Sequence, residues 1–182
     1  MATVKSTEIT NLDNTPRTTL EAASAGGKVR VWMDTIAVGT GDLDSGDIIV
    51  MAQVPSNAKI ISIRTYNDDL NSGSGTHDIG LYNGPQAYTI SGTTTAAGAV
   101  IDADCYATDA ISFRAEVTDT PLEYLFEAKT GNKDLGNVAG FVWEDGGVSE
   151  DPKVPLRIAI TMTATGTAIA GDITMVVLYA VD

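Results

Sequence analysis

The chain has 182 residues, of which 43% are hydrophobic and 19% charged, a balance that suits one folded domain and excludes a disordered polymer. A net charge of −13, with eleven scattered basic residues, excludes sequence-independent binding to nucleic acid, which needs clustered Lys and Arg. The single cysteine, Cys105, excludes an intrachain disulfide and a thiolate metal cluster. No secretory signal is expected from "MATVKSTEITNLD", and the longest apolar run, residues 175–181, is far shorter than a membrane span of about 20 residues.

Residues 1–27 are rich in Thr, Ser and Ala without a sustained period, and read as an N-terminal arm with one short helical turn over Arg17–Ala25. The folded domain is expected over 28–182. "KVRVWMD" alternates Val29, Val31 and Met33 with Arg30, Trp32 and Asp34, which predicts a strand with one apolar face. "GDIIVMAQVPSNAKIISI" then reads as a hairpin: Asp47–Gln53, a Pro55-Ser56-Asn57 turn, and Lys59–Tyr66. After the polar loop "NDDLNSGSGTHD" comes a short strand over 78–83. "TPLEYLFEAKTG", 120–131, carries helix signals: Thr120 as cap, Pro121 in the first turn, Glu123 at the capping-box position and Gly131 as stop. Its "LEYLFEA" also alternates like a strand. "PLRIAITMT" places Leu156, Ile158, Ile160 and Met162 on one face, the pattern of a half-buried antiparallel strand. "ITMVVLYAV" is apolar on both faces, which fits a sheet interior or a face covered by another chain. Eight or nine short strands without strand–helix alternation predict an all-β antiparallel sandwich, jelly-roll-like, with an extended N-terminal arm.

The search for chemistry is negative. His77 stands alone, and Ser72 or Ser74 with Asp78 beside it in a Gly-rich segment does not make a triad; it reads as a solvated loop histidine. "DLDSGD", 42–47, opens like a calcium loop but puts Gly46 at position five, Asp47 at six and Gln53 where the bidentate Glu belongs. "DADCYATD", 102–109, and "NDDL", 67–70, read as acidic turns. Glu116, Glu123, Glu127, Glu144 and Glu150 show no marked pair for glycoside hydrolysis. Cys105 reads as an inert buried thiol. No catalytic residue, metal or cofactor is expected. Trp32, on the polar face of its strand, is either packed under a loop or an interface anchor; Trp143 reads as core.

The order "GGKVRV … DLDSGDIIVMAQVPSNAKIISIRTYNDDL … DIGLY … GAVIDADCYAT", spanning about residues 26–109, resembles small structural proteins of tailed bacteriophages. The resemblance implies a capsid decoration or cement protein: a homotrimeric β-sandwich made in the host cytoplasm and carried on the virion exterior. Its implied partners are the major capsid protein and itself, with no nucleic acid and no membrane. Contacts are expected through the arm, through Trp32, and through Val176 and Leu178 on the two-faced last strand. The rival readings are a tail or baseplate adaptor or fibre module, and a carbohydrate- or receptor-binding sandwich.

Overall fold

The computed structural model describes residues 5, 9–10, 13–16, 27–125, 133 and 140–181. The predicted helical turn Arg17–Ala25 and most of the arm lie outside these residues. Among them run twelve strands: β1 (Lys28–Val38), β2 (Ile48–Val54), β3 (Lys59–Asn67), β4 (Asn71–Ser72), β5 (Thr76–Asn83), β6 (Tyr88–Ile90), β7 (Thr93–Thr95), β8 (Val100–Ala110), β9 (Val117–Glu123), β10 (Leu156–Ala164), β11 (Thr167–Ala168) and β12 (Gly171–Val181). A single turn of helix, α1 (Val142–Asp145), interrupts them.

The long strands pair as a nested hairpin. β1 pairs with β12, β2 with β10, β3 with β9 and β5 with β8, all antiparallel. Rolling that hairpin up lets β12 pair with β3 and β10 with β5, which gives two four-stranded sheets, β1-β12-β3-β9 and β2-β10-β5-β8. This is the connectivity of a jelly roll. The all-β antiparallel sandwich expected from the strand pattern is therefore the observed fold. Two small ribbons, β4 with β11 and β6 with β7, complete the strand pairing.

The core lies between the sheets. On β10, Leu156, Ile158, Ile160 and Met162 all point inward and are buried, as their alternation predicts. On β12 the inward residues are Ile173, Met175 and Val177, joined by Tyr179. A bulge between β2 and β10 sets Ile158 opposite Ala52 and Ala159 opposite Val50, so Met51 is the extra residue, and Met51 and Ala52 are buried in succession. On the far side, β8 passes over the outer face of β5. A Cβ at Gly80 would meet the Ala103 carbonyl carbon and oxygen at 2.2 Å. Only glycine allows that crossing.

Two of the expected elements change, and a third, open between helix and strand, is decided. The 46–63 segment is not a hairpin: β2 and β3 belong to opposite sheets, and the Pro55–Ala58 turn, closed by Ala58 N–H to Pro55 O at 3.1 Å, carries the chain across the sandwich. Apolar runs flanking a polar turn look the same whether the strands pair or part. The acidic segment 102–109 is not a turn but the middle of β8, held against β5 with three register shifts. The start of the predicted 120–131 helix is strand, because Val117–Glu123 completes the edge of the first sheet; 126–132 lie outside the described residues. The segment around Trp143 forms α1; Phe141 and Trp143 stack at 6.4 Å, with Trp143 half-buried against the core.

Substituting Gly80 by Ala is expected to lower unfolding free energy by about 2 kcal/mol or more, since backbone must move to admit one methyl group. Urea titration of the variant checks this, and an unchanged midpoint would contradict the β8 crossing.

Candidate functional site

Several of the residues weighed for chemistry have structural partners instead. His77 is not a loop histidine. β5 begins at Thr76, so His77 continues the inward row of Ile79 and Leu81 and is fully buried. Its ring stacks on Phe113 at 4.0 Å, and Nε2 lies 3.3 Å from Ser112 Oγ and 3.4 Å from Tyr124 OH. Tyr124 OH in turn meets Ser112 Oγ at 2.5 Å and Thr65 Oγ1 at 2.9 Å. Asp78, one residue on, points to the opposite face, where its Oδ1 accepts the Asp109 N–H at 2.8 Å. No triad can form from side chains on opposite faces. Burial first, and then the Arg114 charge, lower the His77 pKa from 6.5 to about 3, so the imidazole is neutral at physiological pH.

The carboxylates are tied to turns and ladders. Asp42 accepts the Gly39 N–H and Asp47 the Asp44 N–H, both at 2.8 Å. Glu123 fastens β9 to β3 through Ser62, the Ile63 N–H and Arg64. Glu144 accepts the Phe141 N–H at 2.7 Å; Glu116 and Glu150 are exposed, and Glu127 lies outside the described residues. Asp145 accepts both a bidentate pair from Lys133 Nζ, at 2.7 and 2.8 Å, and the Tyr106 hydroxyl at 3.2 Å. That ion pair is almost fully buried. Burial raises the Asp145 pKa and Lys133 opposes the shift. Cys105 is half-buried, its thiol pushed well above the usual range by burial and by Asp102 and Asp145. Among the described residues no three His, Cys, Asp or Glu side chains gather as metal ligands.

What the molecule presents instead is an apolar face. The alternation in β1 predicts Val29, Val31 and Met33 as its core-facing side, and the structure reverses this: they stand on the outer face of the sheet, 64%, 59% and 70% exposed. The register sets Val31 opposite Leu178 and Met33 opposite Val176 on β12, and Ile61 of β3 is also 43% exposed. Val176 and Leu178 are half-buried on this outer face. Trp32 faces the other way. Its indole N–H donates to the Met51 carbonyl at 3.0 Å, so it packs between the open edges of the two sheets, neither under a loop nor on the outer face. The bulge at Met51 explains the bond, since the extra residue has no ladder partner opposite it. The structure thus brings Val176 and Leu178 together and separates them from Trp32. β1 is an edge strand, so its inward side reaches solvent beyond Trp32, and Arg30 and Asp34 remain exposed there.

No protein-family model matches the chain, and no curated protein matches it. A solved structure that does match is a chain of the capsid of Ralstonia phage GP4. The two are 17% identical and superimpose with a TM-score of 0.54 over 92% of each chain. At that identity the likeness is one of fold, and it extends over nearly the whole of both chains.

Protonating His77 costs the folded state its burial, so the linkage sign is fixed. The folded pKa lies below the unfolded 6.5, so stability is complete above pH 6.5 and falls as pH drops toward about 3. The folding constant is expected to fall by about tenfold per pH unit in that window from this residue, a slope that acid titration of His77→Phe should lack. Lys133→Met leaves Asp145 buried without its cation, and is expected to cost about 3–5 kcal/mol in urea denaturation, with most of the loss restored by Asp145→Asn in the same chain.

Proposed function

We propose that this protein is a non-enzymatic structural component of a phage virion, bound to the outside of the head as a decoration or cement protein. The observation that carries the reading is the jelly-roll likeness to a chain of a phage capsid over 92% of both chains. Two features support it. Several of the polar groups that could have done chemistry, among them His77, Asp42, Asp47, Glu123, Glu144 and Asp145, are engaged in turns, ladders and buried pairs. The outer face of β1 and β12 exposes Val29, Val31 and Met33 beside Val176 and Leu178, an apolar patch of the kind that marks a protein contact.

In this role the major capsid protein is the partner, and Val176 and Leu178 lie at the centre of the contact. A protein that binds only the mature shell stabilises that shell by its binding free energy at each site. Several copies linked to one another dissociate far more slowly than one. The net charge of −13 keeps such a protein soluble before assembly and repels packaged nucleic acid.

Quantitative mass spectrometry of purified virions of the source phage tests the reading. Copies in a simple ratio to the major capsid protein are expected; a few copies per particle would indicate the tail, and none would overturn a virion role. Val176→Asp with Leu178→Asp is expected to lower occupancy on shells at least about tenfold while leaving the thermal melt of the free protein within a few degrees, because both side chains point away from the core.

A further inference from the structure

The Trp32 indole N–H of β1 has a partner, but the strand's backbone edge is open. Among the described residues, β1 pairs with β12 along all eleven residues and with no strand on its other side. The backbone groups on that open edge can be identified. In β12, the Asp172 carbonyl accepts the Asp68 N–H at the β3 side, so even-numbered β12 residues turn toward β3 and odd-numbered ones toward β1. Because Val177 lies opposite Trp32 and Met175 opposite Asp34, the even-numbered residues of β1 bond to β12, which leaves Val29, Val31, Met33 and Thr35 with N–H and C=O groups on the open edge. An independent contact agrees: the Thr35 N–H is taken by the adjacent Asp34 carboxylate at 2.9 Å.

An exposed edge strand of this length is a template for another strand. Its own sequence is a complement to it. Antiparallel pairing of β1 with itself keeps hydrogen-bonding groups in phase when paired residue numbers sum to an even value. With Trp32 opposite Trp32, the outer face sets Val31 against Met33 and Val29 against Thr35, while the inner face sets Arg30 against Asp34 in both directions. Both charged side chains are exposed, and neither forms an ion pair among the described residues. Centring one residue earlier shortens the overlap and faces Arg30 with Trp32; centring one later faces Asp34 with Trp32.

We propose that β1 is a self-pairing edge, through which a second copy of this chain adds antiparallel about Trp32, so that Arg30 of each copy meets the partner's Asp34. In the pair, the Thr35 N–H passes from Asp34 to the partner's Val29 carbonyl, which frees the Asp34 carboxylate for the partner's Arg30. The two first sheets then run on as one sheet of eight strands, and the apolar patches of the two copies become contiguous. The partner is a two-fold mate, in contrast to the trimer implied by the phage resemblance. The pairing stands independently of the virion reading, because it concerns the purified chain alone.

Sedimentation equilibrium of the full chain across a concentration series tests it, with the thermal melt of each variant as a check on folding. Wild type is expected to be a monomer–dimer system. Arg30→Asp and Asp34→Arg singly place like charges opposite each other twice per dimer, and each is expected to weaken dimerisation by about tenfold. The double exchange, Arg30→Asp with Asp34→Arg, restores it to within about threefold of wild type. In a Cys105→Ser chain, Arg30→Cys with Asp34→Cys is expected to yield a covalent dimer on mild oxidation, since directly opposed non-hydrogen-bonded pairs have Cα atoms about 4.5 Å apart, within disulfide reach. A wild type that is monomeric throughout, a trimer, single variants that dimerise like wild type, or a failed charge exchange would each overturn the proposal.

Discussion

The structure depends on one constraint: each long strand in the first half of the chain finds its partner in the second half. First pairs with last, and the nesting continues inward to β5 and β8. Rolling the nested ribbon places β12 between β1 and β3, and β10 between β2 and β5. These two central strands are the most continuously apolar on their inward faces, as a strand covered by a second sheet must be. Local features follow from the roll. The Met51 bulge bends β2 toward β1 and lends its carbonyl to Trp32, which ties the open edges of the two sheets together. Gly80 is needed where β8 closes over β5.

The same arrangement explains an inversion in where polar and apolar groups reside. A neutral histidine, a tyrosine, two hydroxyls and a Lys–Asp pair are enclosed, while Val29, Val31 and Met33 face water. The enclosed groups form hydrogen-bonded clusters at the ends of strands, where the backbone departs from the ladder and needs partners. The exposed ones lie on a pair of strands in unbroken register. A regular surface of this kind is one that another protein can match.

Much of this was legible in the sequence, for reasons specific to each element. β10 shows strict alternation because it is central and half-covered, and β12 shows apolar residues on both faces because its outside is also apolar. The strands of 46–63 were legible but their divergence was not, since strand pairing is a long-range property and the turn is local. β1 misled because alternation reports two faces without saying which is inside; Trp32, the largest side chain, was the signal that its face turns inward. His77 was misplaced by the Gly–Ser run before it, although His77, Ile79 and Leu81 share a period of two. β8 carries acids at 102, 104 and 109 on a strand that bulges repeatedly, so neither composition nor period marked it.

The position of β12 also sets a clock. β1 and β3 share it as their neighbour, so the first sheet cannot close until residues 171–181 have left the ribosome. Between the emergence of Val38 and that of Gly171 the ribosome adds 171 − 38 = 133 residues, which at about 5–20 residues per second takes on the order of ten seconds. Throughout that interval Val29, Val31 and Met33 belong to a nascent strand whose two edges are both open. The first sheet therefore closes only after the strands between β1 and β12 have been made, so its folding trails their synthesis.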